Sequence, residues 1–232
     1  MNSSSKPLQV IFFDVGGTLL HPQPSVAEVY QRVAQEHGFE ISSGEIRKQF
    51  RQAFQQQSKI PLDSVAREVS WWRTIVDNTL GSWVDESAME SVFRDLWTVY
   101  ASPKVWRIAE DAIAVLETLK NREIKLGIIS NWDSRLLSLL DSLALSRYFD
   151  TIQVSALAGV AKPDPRIFEK ALNAVRASAE RSLHVGDSVE NDLLAPRKMG
   201  MQSVLLRSSS EGSLSLANED RIHSFRELLD LV

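Results

Sequence analysis

The run Val10-Ile11-Phe12-Phe13 ends abruptly in Asp14 and then in Gly16-Gly17, and no other stretch constrains the fold as tightly. Four consecutive apolar residues bounded by glycines read as a fully buried strand. An acid at the carboxyl end of such a strand faces the crevice where open α/β sheets bind their ligands. Asp14 is therefore the first candidate for chemistry.

The rest of the chain divides into two patterns. From Ser102-Pro103 onward, short apolar strands (125–130, 151–154, 182–185, 203–206) alternate with helices (112–119, 136–143, 165–175, 190–199), and an amphipathic helix is expected over 225–231. That alternation implies right-handed crossovers and a parallel sheet. Between Ser25 and Tyr100 only helical spacing occurs: Val26, Val29, Tyr30 and Val33; Ile46, Phe50, Ala53 and Phe54; Val65, Val69, Trp72, Ile75 and Val76; Met89, Val92, Phe93, Leu96 and Val99. The expected fold class is α/β, a doubly wound parallel sheet of Rossmann-like type (residues 1–22 and 101–232) with an inserted all-helical domain (23–100). His21-Pro22-Gln23-Pro24 breaks the backbone at its edge, and Gly16-Gly17 and Ser102-Pro103 are candidate hinges.

Composition narrows the function. In 232 residues, 44% are hydrophobic, enough for a real core, and a net charge of -4 without a dense Lys/Arg cluster gives no footprint for nucleic acid or an anionic membrane surface. The chain has no cysteine, which excludes thiol nucleophiles and Cys-ligated zinc and fits a cytoplasmic location. The first apolar run turns acidic too soon for a signal peptide or a membrane span. A polar loop is expected over 208–213, and a monomer is the default.

Three later segments also put polar residues at strand ends: Ser130-Asn131, Lys162-Pro163-Asp164-Pro165, and Gly186-Asp187 with Asp192 five residues on. Taken singly these are turn formers and helix caps. Together with Asp14, in this order and strand context, they resemble the haloacid dehalogenase-like hydrolase superfamily, subfamily I with a helical C1-type cap. The resemblance covers roughly residues 8–22 and 101–210. It departs at Gly16, where a second Asp usually stands.

The chemistry of the residues agrees with what the resemblance implies. Mg²⁺ prefers hard oxygen ligands and bridges carboxylates to phosphate. Asp14, Asp187 and the carbonyl of Gly16 are candidate ligands, with Asp192 binding directly or orienting a neighbour. Asp14 would attack a small phosphorylated substrate, giving an aspartyl phosphate. Thr18, Ser130 and Asn131 offer donors to phosphoryl oxygens, and Lys162 brings the positive charge that lets several acids coexist ionised. His184, on an apolar strand, reads as a hydrogen-bonded core residue. Trp71, Trp72, Phe50 and Phe54 read as cap packing, with Trp71, off the apolar stripe, having the cleft as its alternative, and Lys48 and Lys59 read as surface charges.

In the phosphatases of the superfamily the second Asp protonates the leaving group and then activates water, and glycine does neither. Such catalysis is worth about 10²–10⁴-fold. Three readings follow: a slow or restricted Mg²⁺-dependent phosphohydrolase; a P–C hydrolase resembling phosphonoacetaldehyde hydrolase, with Lys48 or Lys59 in the cleft as Schiff base; or a non-catalytic phosphate- or partner-binding member. Haloacid dehalogenation fits less well, because those enzymes need no metal.

Overall fold

The computed structural model describes residues 7–207 and 220–232. Strands β1 (Val10–Phe13) and β2 (Leu20–Pro22) precede four helices, α1 (Val26–Glu36), α2 (Ser43–Gln57), α3 (Val65–Leu80) and α4 (Glu86–Ala101). There follow β3 (Trp106–Ile108), α5 (Ala112–Asn121), β4 (Lys125–Ser130), α6 (Leu136–Ser142), β5 (Thr151–Val154), α7 (Ser155–Ala158), α8 (Pro165–Val175), β6 (Ser182–Gly186), α9 (Ala195–Lys198), β7 (Gln202–Leu206) and β8 (Arg221–Ile222).

Six strands form one sheet in the order β5-β4-β1-β6-β7-β8, with every pairing parallel. The chain builds outward from β1 to one edge through β4 and to the other through β6. The crevice beyond β1 is thus the topological switch point, and Asp14 is the first residue past the strand. All four residues of β1 are fully buried because the sheet is covered on both faces. Ile11 and Phe13 enter a cluster with Val115 and Leu116 of α5 and Leu139 of α6. Val10 and Phe12 enter another with Ile167, Phe168 and Ala171 of α8. Truncating a phenylalanine at such a site costs about 3–5 kcal/mol, so the position of Asp14 is anchored by the strand's own packing.

Helices α1 to α4 bury Val29, Val33, Ile46, Val76, Leu80, Val92 and Leu96 against one another. Capping boxes start α1 (Ser25 with Glu28) and α2 (Ser42 with Glu45). In α3 the buried face differs from the apolar stripe of the sequence. Ile75 and Val76 are buried as the stripe predicts, but Val65 and Val69 are 46% and 50% exposed, and Glu68, Trp71 and Thr79 are buried instead. The departure is confined to the first turns, where the off-stripe Glu68 hydrogen-bonds to the loop after β4, described below. Trp71 packs with Ala53, Leu62, Ile75 and Ala156, as its reading as packing expects, its indole N–H donating to the Ile60 carbonyl at 2.8 Å.

Three other local expectations change. β2 and β3 form a two-stranded antiparallel ribbon, pairing Leu20 with Ile108 and Pro22 with Trp106, which ties together the two points where the chain enters and leaves the helical segment. Three-residue strands carry no readable period. The helix expected over 190–199 is a π-helical turn (Val189–Leu194), where the Ala195 N–H reaches the Glu190 carbonyl, followed by α9. Pro196 has no N–H to continue an α-helical ladder. At the end of the chain, β8 adds a strand and Arg226–Asp230 form a 3₁₀ turn in place of the expected helix. Five residues are too few for an α-helix to repay nucleation. Residues 208–213 lie outside the described residues.

Candidate active site

The loop after β1 closes on itself: the N–H groups of Thr18 and Leu20 donate to the Val15 carbonyl at 3.2 and 2.8 Å, and that of Gly17 donates to the Leu20 carbonyl at 3.0 Å. Gly17 has φ +79°, and a Cβ there would lie 2.4 Å from Oδ2 of Asp187. The position therefore requires glycine twice, for its left-handed backbone and for the carboxylate packed against it. Gly186 serves the same purpose for Asp192, whose Cγ would sit 2.3 Å from an added Cβ.

The four distant segments converge here. Lys162 is buried and its ammonium donates to Oδ1 of Asp14 at 2.9 Å and to Oδ1 of Asp192 at 2.6 Å. Asn131 fixes the lysine's backbone, its amide accepting from the Lys162 N–H at 2.8 Å and donating to the Lys162 carbonyl at 2.9 Å. The Asn131 side chain is thus spent on positioning Lys162, which leaves only its backbone for a phosphate. Ser130 is buried beside Asp14 and helps to lower its carboxyl. Thr18 is buried with its hydroxyl making no hydrogen bond, an orphaned donor in the turn that carries Asp14. Asp164 caps α8 with Pro165 in its first turn, as a helix start favours.

Asp192 has its oxygens occupied by protein groups. Oδ1 accepts from Lys162 and from Nε2 of His184 at 2.9 Å, and Oδ2 accepts from the Ser188 N–H at 2.9 Å. His184 is fully buried, as a core histidine should be, and burial lowers its pKa.

The electrostatics follow from burying three acids around one ammonium. Burial raises the Asp14 carboxyl, and Lys162 only partly offsets this. Burial also pushes Asp192 upward, but Lys162 and His184 together outweigh it and hold that carboxyl well below the usual range. Lys162 is raised, since its two acid partners overcome the burial that would lower it. For Asp187, burial with Asp14 and Asp192 nearby outweighs the more distant charge of Lys162 and pushes it up to about 7.

Carboxylate oxygens of Asp14, Asp187 and Asp192 lie within 4.8 Å of one another. Hard oxygen donors at this spacing, three acids around a single ammonium, fit a divalent cation of the Mg²⁺ type.

Several neighbours escaped the sequence reading. Trp132 lies over Gly16: a Cβ on that glycine would come within 3.2 Å of its ring. Asp133 is buried between Arg135 (2.8 Å) and the indole N–H of Trp72 (2.8 Å), and Glu68 accepts from the Ser134 N–H and hydroxyl at 2.9 and 2.7 Å. These bonds join α3 to the loop after β4. Trp132 had a local signal, an aromatic adjoining Asn131, whereas the Glu68 and Asp133 pairings join segments too far apart to be read. Lys48 and Lys59 are exposed, as surface charges are.

A family model described as haloacid dehalogenase-like hydrolase matches residues 8–200. The chain belongs to this family of hydrolases. It is 32% identical over 205 residues to haloacid dehalogenase-like hydrolase domain-containing protein 3 of Bos taurus, covering 86% of this chain and 82% of the relative. It is 29% identical over 133 residues to the glyceraldehyde 3-phosphate phosphatase of Methanopyrus kandleri, covering 53% of this chain and 55% of that one. Among solved structures, the putative beta-phosphoglucomutase of Thermotoga maritima superposes with a TM-score of 0.74 at 19% identity, covering 97% of this chain and 98% of that one. At that identity the likeness speaks for the fold alone. Among the described residues no helix is long and apolar enough to cross a membrane.

Proposed function

We propose that this hydrolase is a Mg²⁺-dependent phosphohydrolase acting on a small phosphorylated molecule through an aspartyl phosphate on Asp14. The observation that carries the reading is the cluster of Asp14, Asp187 and Asp192 within 4.8 Å, with Lys162 bridging two of them. The phosphatase relative supports the same direction. Residues 1–22 and 101–232 would form the catalytic core and 23–100 the cap that covers it.

Asp14, the Gly16 carbonyl and Asp187 would hold the cation, with Asp192 behind them fixing Lys162. When bound, the cation neutralises the acids and draws charge from a phosphoryl oxygen. A carboxylate oxygen of Asp14 attacks phosphorus, and the bond from phosphorus to the leaving oxygen breaks. Lys162, Ser130, the orphaned Thr18 hydroxyl and backbone N–H groups near Asn131 hold the phosphoryl oxygens as charge shifts. Water then attacks phosphorus, releasing phosphate and restoring Asp14.

The P–C hydrolase reading needs a lysine in the cleft, and the exposure of Lys48 and Lys59 counts against it. A panel of phosphate monoesters assayed with Mg²⁺ and with chelator, for the native chain and Asp14→Asn, tests the proposal. Expected is hydrolysis that chelator abolishes and Asp14→Asn lacks; equal background in both proteins would return the chain to the non-catalytic binding class.

A further inference from the structure

We propose that Glu68, a buried carboxylate on α3, is a positioning residue: it holds the loop after β4, and through Asn131 in that loop it sets where Lys162 stands. Its value to the reaction rests on the phosphohydrolase reading. The loop runs from Asn131 to Arg135, between β4 and α6. At its start the Asn131 amide exchanges hydrogen bonds with the Lys162 N–H and carbonyl at 2.8 and 2.9 Å. Each of the next four residues is linked to the helical segment 23–100. The Trp132 N–H donates to the Ser155 hydroxyl at 3.1 Å, which donates in turn to the Leu62 carbonyl at 2.5 Å. Asp133 accepts from the indole N–H of Trp72 at 2.8 Å. The Ser134 N–H and hydroxyl donate to the two carboxylate oxygens of Glu68 at 2.9 and 2.7 Å. Arg135 donates to the Trp97 carbonyl at 2.7 Å, its guanidinium 3.4 Å from the centre of the Trp97 ring. Five consecutive residues thus carry one link to Lys162 and four to Leu62, α3 and α4.

Among these links Glu68 has the least local support. Asp133 and Arg135 also bond to each other, at 2.8 Å, and keep that pairing without the helices. The Ser134 donors, among the described residues, have Glu68 alone. Glu68 is only 7% exposed, and among the described residues no cation pairs with it. Burying a carboxylate this way is costly, and an apolar side chain would fasten α3 to the core more cheaply. What the carboxylate adds is direction. Apolar contact is non-directional, whereas a fork that grips the N–H and the hydroxyl of one residue fixes that residue's height and rotation. The loop's placement passes to Lys162 because, among the described residues, both backbone polar groups of Lys162 bond to Asn131. Its ammonium must in turn meet Asp14 at 2.9 Å and Asp192 at 2.6 Å. A misplacement of about 1 Å in a group that steadies the transition state can cost about 10²-fold in rate.

The test combines amide hydrogen exchange resolved by residue with kcat and KM for a phosphate monoester in Mg²⁺. The proteins are the native chain, Asp14→Asn, Glu68→Ala, Glu68→Gln, Asn131→Ala, the double variant Glu68→Ala with Asn131→Ala, and Ile46→Ala. Ile46 is fully buried in α2, so its truncation controls for lost stability of the helical segment. In Glu68→Ala the Lys162 amide should exchange at least about 10-fold faster than in the native chain, while in Ile46→Ala it stays near the native rate. Glu68→Ala should lower kcat about 10- to 100-fold and change KM less than about 3-fold, the pattern of an interaction made in the transition state. Glu68→Gln keeps one acceptor, should lose less than about 10-fold in kcat, and carries the same comparison if Glu68→Ala does not fold. Adding Glu68→Ala to Asn131→Ala should lower kcat no further, because both changes break one link. Faster exchange at Ser134 with native exchange at Lys162, kcat losses that add in the double variant, or an equal kcat loss in Ile46→Ala would overturn the positioning role while the phosphohydrolase reading stands. No Asp14-dependent hydrolysis by the native chain would overturn the phosphohydrolase reading and the value of Glu68 to the reaction with it.

Discussion

Gly17→Ala adds one methyl group, changes no charge and removes no hydrogen bond, yet it should disable the proposed metal site. Two effects combine. The backbone at residue 17 has φ +79°, where an L-residue pays about 1–2 kcal/mol that glycine does not. The new Cβ would also lie 2.4 Å from Oδ2 and 2.9 Å from Cγ of Asp187, so the carboxylate must retreat by about 1 Å to reach ordinary van der Waals contact. Retreat is easy for a half-buried side chain, which keeps the stability loss near the backbone cost alone. For a chain of this size, 1–2 kcal/mol lowers Tm by about 2–8 °C. Disturbing what orients a metal ligand typically costs about 10–100-fold in affinity, and Asp187, in the role proposed for it, should lose at least that much. Titration calorimetry with Mg²⁺, on the native chain, Gly17→Ala and Asp187→Asn, separates the two effects. Expected is a folded Gly17→Ala protein whose Mg²⁺ affinity falls toward that of Asp187→Asn. A folded Gly17→Ala protein with native Mg²⁺ affinity would refute the reasoning, because it would mean that the Asp187 carboxylate does not need its present position.

Lys162→Met should destabilise the chain by about 3–5 kcal/mol in urea titrations, since it strands Asp14 and Asp192 as buried neighbours without their shared cation; a loss below about 1 kcal/mol would contradict that account. With the Asp187 carboxyl raised to about 7, the native chain without metal binds a proton that the unfolded chain releases near pH 4, so stability falls as pH rises from about 4 to about 7. A cation favours the ionised acid, so the Mg²⁺-induced rise in Tm should be larger at about pH 8 than at about pH 5.5, and equal shifts at the two values would count against the assignment. Gly16→Asp alone should gain little activity because the Trp132 ring crowds the new Cβ at 3.2 Å. Combined with Trp132→Leu, it should raise turnover of alkyl phosphates above either single variant in a steady-state assay, an ordering that a fully active single Gly16→Asp protein would break.

Much of the fold and of the candidate site was legible because the signals were local and strong. The VIFF run could only be a strand buried on both faces, and polar residues at the ends of short apolar strands point to the crevice wherever crossovers are right-handed. Asp14, Lys162, Asp187 and Asp192 were found that way, and the structure brings them together. His184 read as a core residue for the same reason, because an apolar strand leaves its histidine nowhere else to go. Only the tertiary structure decided what depends on a partner distant in sequence. The amphipathic stripe of α3 held at Ile75 and Val76 but pointed to the wrong face in its first two turns, where Glu68 meets Ser134 and its hydrogen bonds to that loop outweigh the cost of leaving Val65 and Val69 in water. Asn131 clamps the Lys162 backbone, which neither segment announces. Gly16 is the clearest case. The sequence determined that no side chain stands there, and only the packing of Trp132 against it decided what stands there instead, because a contact between residues 16 and 132 is a property of the closed sheet and of neither loop.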